Sequence, residues 1–356
     1  MSNARNLANL LGTGTQITAA DIADGVIPEA KGTNLIINGG MTLDQRNNGS
    51  AVSAPHNTYT LDRLNVYQSG DAAFSVQQVS DVVPNGFANS AKIACTTADT
   101  NGFGATDYYM LTYNFEYNQT RPLEFGTSSA KTVTLSFYVR SNLTGTFSGA
   151  LESGDGGRHY VFEYTINSAN TFERKSITIP GDTSGTWTGT FNARGMKIRL
   201  ALALGANYDG TAGTWGTDES YGSTNQTNFF SSTSNVFYIT GLQLEVGDGP
   251  ATPFEHPRSF GDELARCQRY FLKTNVGNAV AYWNTGGNIP SGSGILFPTT
   301  MRATPAATVV SNVQATNTDG GSFQNMHEGG GQYIANFTPS TGTAKRTDLC
   351  TFDSEL

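Results

Sequence analysis

The chain has 356 residues, a formal net charge of −8 and only 14% charged residues, against a usual share of about 25%. Its 21 basic residues are scattered, which argues against a nucleic-acid-binding face, and no stretch approaches the length of an apolar membrane span. Cys95, Cys267 and Cys350 fit neither a disulfide framework nor a zinc pattern, so the sequence predicts no metal and no cofactor. The 41 glycines, with many Thr, Ser and Asn residues, favour short strands joined by turns.

Residues 1–31 differ from the rest of the chain because their apolar residues recur at helical spacing. Thr18 and Asp21 fit a capping box for a second short helical turn. One short apolar stripe cannot form a core, so this segment is either a docking arm or a floppy tail. We favour a short helical N-terminal arm that docks on another protein. Its docking residues are Leu7, Leu10, Leu11, Ile17 and Ile22.

Between residues 32 and 258 the hydrophobic period changes to two. Apolar and polar side chains alternate within residues 109–115, 133–139, 196–204 and 242–246, as in strands with one buried face. Weaker runs, among them residues 35–38, bring the total to about ten strands, which fits a two-sheet jelly roll. The pattern therefore predicts an all-β fold with a jelly-roll β-sandwich as its main domain.

Residues 205–228 contain no alternating run. A loop of this length inside a compact domain is usually functional or packed against another subunit. Aromatic residues in Gly-rich turns, three of them in this loop and Trp187 in an earlier turn, are candidates for stacking on sugars. The alternative is that these rings cover the ends of the sandwich or pack between subunits. The candidates for carbohydrate binding are Trp187, Tyr208, Trp215 and Tyr221.

A connecting helix is predicted over residues 259–271, where Ser259 and Asp262 fit a capping box and apolar residues recur on one face. Short strands return in residues 272–356. This last part has few bulky side chains, which predicts a small C-terminal β-domain with a thin core. We expect it to be stabilised by packing on the first domain or on other copies of itself.

No strong catalytic signature is present. None of the four histidines lies at metal-ligand spacing, and the chain has neither a G-x-S-x-G elbow nor a P-loop. Loop acids can supply a glycosidase pair or hold a calcium ion, but no pair or Asp-Gly turn here is specific enough to assign. We therefore expect a protein that is not an enzyme. The acids considered are Glu152, Asp155, Asp209, Asp218 and Glu219.

Motifs at the start and end of the sandwich resemble a known family. They are NLIINGGM (34–41), QR (45–46), YTLDRL (59–64), GLQLEVG (241–247), ATPFEH (251–256) and ELARCQRYF (263–271). The set resembles the jelly-roll domain of tail-fibre and related virion proteins of tailed bacteriophages, a domain similar in fold to carbohydrate-binding modules. The segment FPTTMRATP (297–305) resembles the small β-domain that often follows. Within the motifs we interpret Asp62 and Arg63 as a structural ion pair or a loop staple.

The resemblance implies a structural subunit of a tailed-phage virion, a tail fibre or similar appendage, anchored by residues 1–31. Its expected partners are other copies of the chain, with a trimer favoured by analogy, then phage tail, neck or capsid proteins, and host surface glycans. Neither nucleic acid nor membrane insertion is expected, and the location is the virion, assembled in the host cytoplasm. The alternatives are a capsid decoration or neck protein without receptor contact and, more weakly, a capsular polysaccharide depolymerase.

Overall fold

The computed structural model describes residues 34–99, 102–187, 189–280, 289–338 and 344–356. The predicted docking arm, with Leu7, Leu10, Leu11, Ile17 and Ile22, lies outside these ranges. Inside them the chain is almost entirely β, so the predicted fold class is confirmed: a β-sandwich is followed by a smaller β-domain. No helix within the described ranges is long and apolar enough to cross a membrane.

The first domain is built from two antiparallel sheets. The six-stranded sheet contains β1 (Val52–Ser53), β4 (Ala73–Val79), β5 (Ser90–Thr97), β7 (Val133–Ser141), β10 (Glu173–Ile179) and β13 (Val236–Val246), in the spatial order β1-β4-β5-β13-β7-β10. The seven-stranded sheet contains β2 (Thr58–Leu61), β3 (Leu64–Ser69), β6 (Tyr108–Glu116), β8 (Gly145–Ser153), β9 (His159–Ile166), β11 (Arg194–Leu204) and β12 (Trp215–Gly216), in the order β12-β9-β8-β11-β6-β3-β2.

The inward faces of both sheets form one hydrophobic core, as the alternating runs predict. Val133, Leu135 and Phe137 of β7 are fully buried on one side, and Met196 and Ile198 of β11 belong to the same cluster. Each fully buried side chain of this size contributes about 1.5–3 kcal/mol relative to an exposed one. Alternation alone therefore accounts for the sandwich.

Residues 35–38, predicted as a strand, instead run beside β13 without regular structure and enter a turn at Ile37. Asn38 has a φ of 59°, which ends any extended run. Leu35 donates its N–H to the carbonyl of Leu244 at 3.0 Å. Gly39 passes so close that a Cβ would lie 2.1 Å from the carbonyl oxygen of Leu242, so only glycine fits there.

Two short α-helices lie in the described ranges, α1 (Tyr117–Thr120) and α2 (Phe260–Gln268). As predicted, Ser259 caps α2, because its hydroxyl accepts a 3.0 Å hydrogen bond from the N–H of Asp262. Cys267 is fully buried in a small cluster with Ile37 and Tyr270. The helix thus packs on the opening motif of the sandwich.

The smaller β-domain consists of two three-stranded antiparallel sheets. The first contains β14 (Phe271–Val280), β19 (Ala344–Asp353) and β16 (Ala306–Thr316), with β19 in the centre. The second contains β15 (Ile289–Leu296), β18 (Gly330–Phe337) and β17 (Thr318–His327), with β18 in the centre. Tyr333, Phe337 and Phe352 form the middle of a small core, in agreement with the few bulky residues of this segment.

The two domains meet around Arg63, whose side chain is 1% exposed. Its guanidinium forms an ion pair with Glu355, donates to the carbonyl of Asn114 and lies 3.5 Å from the ring centroid of Tyr270. Burying two ions costs several kcal/mol for each ion unless a close ion pair and further hydrogen bonds offset the lost hydration. The junction therefore depends on Arg63 keeping its carboxylate.

Asp62 and Arg63 do not form the ion pair that the sequence suggested as one of two possible roles. Asp62 instead accepts two 2.6 Å hydrogen bonds from Gln45, one from its N–H and one from its amide. Arg302 reinforces the junction by donating to the carbonyls of Ser354 and Asn192. Both motif residues thus have structural roles, with different partners.

We expect Glu355→Gln to lower the free energy of unfolding by about 3–5 kcal/mol, because Arg63 stays buried without its counter-charge. Asp353→Asn is the matched control. Its carboxylate pairs with Arg46 but is 39% exposed, so we expect a loss within about 1 kcal/mol. Urea unfolding of both variants measures the difference, and equal losses contradict the assigned role of Arg63.

Candidate functional site

Part of the outer face of the seven-stranded sheet carries charged side chains that are nevertheless buried. Lys197 of β11 lies directly opposite Glu152 of β8, and Glu152 lies opposite His159 of β9. Arg199 is two residues further along β11 on the same face. These four residues, the charged cluster, are each 5% exposed or less. The sequence pattern predicts one buried face for β11, but both faces are buried.

Glu152 holds the charged cluster together because both cations donate to it. Lys197 Nζ donates to Oε1, and Arg199 Nε donates to Oε2. Burial alone would raise the pKa of Glu152, but the charges of Arg199 and Lys197 hold it below its ordinary value. Burial lowers the pKa of Lys197 to about 8, in spite of the carboxylate beside it.

Residues 205–228, the covering loop, lie over the charged cluster. The guanidinium of Arg199 is 4.4 Å from the ring centroid of Tyr221 in this loop and 5.0 Å from that of Tyr67 on β3. Tyr221 in turn stacks on Tyr208, with centroids 4.8 Å apart and ring planes 11° apart. Cation–π contacts of a desolvated arginine are worth about 2 kcal/mol. They help to fix the loop on the sheet.

Backbone and side-chain hydrogen bonds attach the covering loop to the edge of the sheet. Gly213 donates its N–H to the carbonyl of Val161 at 2.9 Å. The amide oxygen of Gln226 accepts from both the N–H and the hydroxyl of Ser148, each at 2.7 Å. A long segment with little regular structure besides β12 is thereby ordered at several points.

An open cavity of about 650 Å³ lies between the covering loop and β9. Its polar lining offers carboxylate, hydroxyl, amide and imidazole groups. Gly216 of β12 also borders the cavity, and a Cβ built there would meet no atom within 4 Å. The polar residues that matter most are His159, Glu163, Asp209, Asp218, Ser223 and Asn225. Such a surface suits a ligand rich in hydrogen-bonding groups.

His159 is the feature that points most directly to a ligand. Its side chain is buried and borders the cavity, yet neither ring nitrogen has a hydrogen-bond partner among the described residues. The nearest carboxylate oxygen, Oε1 of Glu152, is 3.8 Å from Nε2. Burial lowers the pKa of His159, with Glu152 opposing, so the ring is neutral at pH 7 and has one donor and one acceptor. Buried polar atoms of this kind normally have partners.

The four aromatic residues predicted to bind carbohydrate lie in two separate places. Tyr208 and Tyr221 stack on each other in the covering loop. Trp187 and Trp215 lie at another site, with ring centroids 5.6 Å apart at 90°. Phe125 packs against both tryptophans. The structure therefore does not bring the four rings into one stacking surface.

Strand pairing turns Trp215 away from the cavity. Trp215 lies opposite Tyr160, a core residue, whereas Gly216 lies opposite His159. Paired residues project to the same side of a sheet, so the indole of Trp215 is on the core side. Trp187 is 9% exposed and donates its indole N–H to Asp182 at 2.9 Å. Its buried ring leaves little surface for a sugar.

The acids considered from the sequence have different surroundings. Glu152 is buried between two cations, and Glu219 accepts a hydrogen bond from the hydroxyl of Tyr221. Asp155 accepts from Ser153 at 2.5 Å and from the N–H of Gly157 at 3.0 Å. Of the five acids considered from the sequence, Asp209 and Asp218 border the cavity. In the described ranges no group of three His, Cys, Asp or Glu side chains is placed to hold a metal ion.

Sequence reasoning missed His159, Glu163 and Asn225 as site residues. His159 and Glu163 alternate on β9, so their shared face could have been read from the sequence. Asn225 gave no such signal, because its place beside Glu163, with a 3.0 Å hydrogen bond between them, depends on the path of the covering loop.

Comparisons with solved structures find distant similarity. The enzymatically active domain of tailspike protein 4 of bacteriophage CBA120 is 11% identical over 60% of this chain and 21% of that one, with a TM-score of 0.33. The family 11 carbohydrate-binding module of a Clostridium thermocellum cellulase is 16% identical over 56% and 95%, with a TM-score of 0.29. An arabinose-bound α-L-arabinofuranosidase is 12% identical over 64% and 29%, with a TM-score of 0.32.

These likenesses carry no assignment, since all the TM-scores are low. The matched region spans about a fifth of the tailspike domain and less than a third of the arabinofuranosidase. No protein family matches the sequence. No curated protein matches it either.

The prediction that the chain is not an enzyme is wrong by this comparison. The similar structures include the enzymatically active tailspike domain, the arabinofuranosidase and an exo-β-agarase. Their distance leaves the activity of this chain unassigned. The expectation that the chain is not an enzyme is therefore withdrawn, and no reaction is assigned to the chain.

We expect His159 to make stability depend on pH. The unfolded chain takes up a proton near the ordinary histidine pKa of about 6.5, whereas the folded chain does so only at lower pH. The free energy of unfolding therefore falls as pH drops from 6.5 through the lowered pKa of the folded state, by about 1.4 kcal/mol per unit of lowering.

His159→Phe removes this proton uptake, so its unfolding free energy should fall less between about pH 7 and about pH 5. His56→Phe is the control, because His56 is exposed. Urea unfolding across this range measures both slopes. A His159→Phe slope as steep as that of the unsubstituted protein contradicts the buried, neutral imidazole.

Proposed function

We propose that the chain is a structural subunit of a tailed-phage virion, a tail fibre or similar appendage, and that its β-sandwich binds a host surface glycan. The glycan occupies the cavity between the covering loop and β9. The observation that carries this proposal is the open polar cavity at whose wall His159 is buried without partners. The virion assignment is supported by the sequence motifs at the two ends of the sandwich.

The chemistry of the cavity suits a saccharide. A sugar hydroxyl both donates and accepts, so one hydroxyl can satisfy either nitrogen of His159. Neighbouring hydroxyls can donate to Asp209 and Asp218, for whose carboxylates the described part of the chain supplies no hydrogen-bond partner. The volume of about 650 Å³ lies inside the usual range for small-molecule sites, about 300–1,000 Å³.

The four predicted aromatic residues take supporting roles in this proposal. Tyr208 and Tyr221 position the covering loop, through their mutual stacking and the contact of Tyr221 with Arg199. Trp187 and Trp215 stabilise the neighbouring end of the sandwich with Phe125. Sugar contact is assigned instead to the polar groups of the cavity.

Gly216→Phe should abolish glycan binding, because the new ring enters the cavity where the backbone leaves open space. The matched control is Gly294→Phe on β15, where an added Cβ also meets nothing within 4 Å. Neither glycine has a positive φ, so both variants should fold. On a glycan array we expect the control to bind as the unsubstituted protein does. Binding retained by Gly216→Phe excludes the cavity as the site.

Residues 1–31 complete the proposal as the virion-docking arm, with tail, neck or capsid proteins as partners and a trimer of the chain favoured by analogy. The arm would dock through its apolar stripe. Replacing Leu7, Leu10 and Leu11 together with Glu should prevent incorporation into particles, because charges replace the docking side chains.

The control places the same three charges on the helix face opposite the stripe, as Ser2→Glu, Asn6→Glu and Asn9→Glu. We expect this variant to be incorporated. Immunoblots of purified particles, together with the oligomeric mass of each free protein, measure the outcome. Normal incorporation of the leucine variant contradicts the docking arm and leaves the glycan proposal unaffected.

A further inference from the structure

The cavity is negatively charged. Three carboxylates, those of Glu163, Asp209 and Asp218, border it, and no Lys or Arg does. The nearest cations of the charged cluster, Lys197 and Arg199, both bind Glu152 instead. With Glu152 and Glu219 added to the three bordering carboxylates, the site has five carboxylates against the two cations Lys197 and Arg199. The electrostatic potential in the cavity therefore favours a positively charged ligand.

The carboxylates at the cavity are available to a ligand. Glu163 accepts one hydrogen bond, from the amide of Asn225, through Oε1. Neither Asp209 nor Asp218 forms a side-chain hydrogen bond or ion pair within the described ranges. Burial raises the pKa of Asp209, as expected for a carboxylate with no compensating donor. A ligand that supplies hydrogen-bond donors or a positive charge therefore binds best here.

His159 supplies the second requirement, independent of the acids. The neutral imidazole has one N–H that needs an acceptor and one bare nitrogen that needs a donor. Sugar hydroxyls can play either part. A ligand that satisfies the histidine and the carboxylates together carries hydroxyl groups and an ammonium group on one small frame. A hexosamine with a free amino group has this combination.

We propose that the cavity selects sugars with an unsubstituted amino group and rejects sugars that carry a carboxylate, sulfate or phosphate. This selectivity rests on the proposed glycan site and narrows its ligand class. An acetylated amine loses the charge, so N-acetylhexosamines bind as neutral sugars do. Acidic sugars meet like charges at the carboxylates of Glu163, Asp209 and Asp218.

The test uses oligosaccharides of equal length and one linkage that differ in a single substituent. Cello-, chito- and chitosan oligosaccharides carry hydroxyl, acetamide and amine at C2, and C6-oxidised cello-oligosaccharides carry a carboxylate. We expect the amine to bind at least about tenfold more tightly than the hydroxyl or acetamide, and the carboxylate not to bind. The preference should shrink as ionic strength rises from about 0.01 M to about 1 M.

Variants separate a specific site from general attraction to an acidic protein. Asp218→Asn should weaken binding of the amine more than binding of the neutral oligosaccharides, so that the preference for the amine falls to less than about threefold. Gly216→Phe keeps the net charge but fills the cavity, so it should bind none of the four. Gly294→Phe should bind as the unsubstituted protein does. Amine binding that survives Gly216→Phe overturns the inference.

The outcomes also separate this inference from the proposed function. Equal binding of amine and hydroxyl forms, lost in Gly216→Phe, overturns the selectivity and retains the glycan site. If none of the four oligosaccharides binds but an array glycan does, the amino-sugar selectivity is again overturned. If no glycan of any class binds, the proposed glycan function itself fails.

Discussion

The shared carboxylate of Glu152 is the interaction on which the candidate site depends. Lys197 and Arg199 project from the same face of β11, and two neighbouring cations could not be buried without an anion between them. With Glu152 in place, Arg199 is free to contact Tyr221, and the covering loop can lie on the outer face of the sheet. The cavity exists because this loop stays attached there and leaves a gap beside β9.

The position of the cavity follows from pairing at the sheet edge. The two-residue strand β12 pairs with β9 so that Trp215 faces the core and Gly216 faces the opposite side. The absence of a side chain at Gly216 and the burial of His159 together produce an open, polar space. A protein that binds sugars by hydrogen bonding rather than by an exposed aromatic platform would have this arrangement, and the proposed glycan site is of that kind.

The junction between the two domains uses a similar device. Arg63 is buried with Glu355 and the ring of Tyr270, and the opening and closing motifs of the sandwich both supply residues to it. The motifs that carry the family resemblance therefore have a physical role in joining the domains. In both places a buried arginine is stabilised by one carboxylate and an aromatic ring, which orders chain segments that have little hydrophobic area of their own.

Period-two alternation in the sequence was sufficient to predict the β-sandwich, because each strand needs one apolar face regardless of its partners. The capped helix before the smaller β-domain was predictable for a similar local reason. The burial of the outer sheet face was not predictable. In the sequence Lys197 and Arg199 look like solvent-exposed residues, and only the pairing of β11 with β8 brings in Glu152, which permits their burial. Trp187 and Trp215 are a second case, because the sequence left open whether their rings bind sugars or cover the ends of the sandwich. Local periodicity therefore determined which residues form strands, and only the tertiary structure decided which loop covers them and where a ligand can enter, because both depend on contacts between residues distant in the chain.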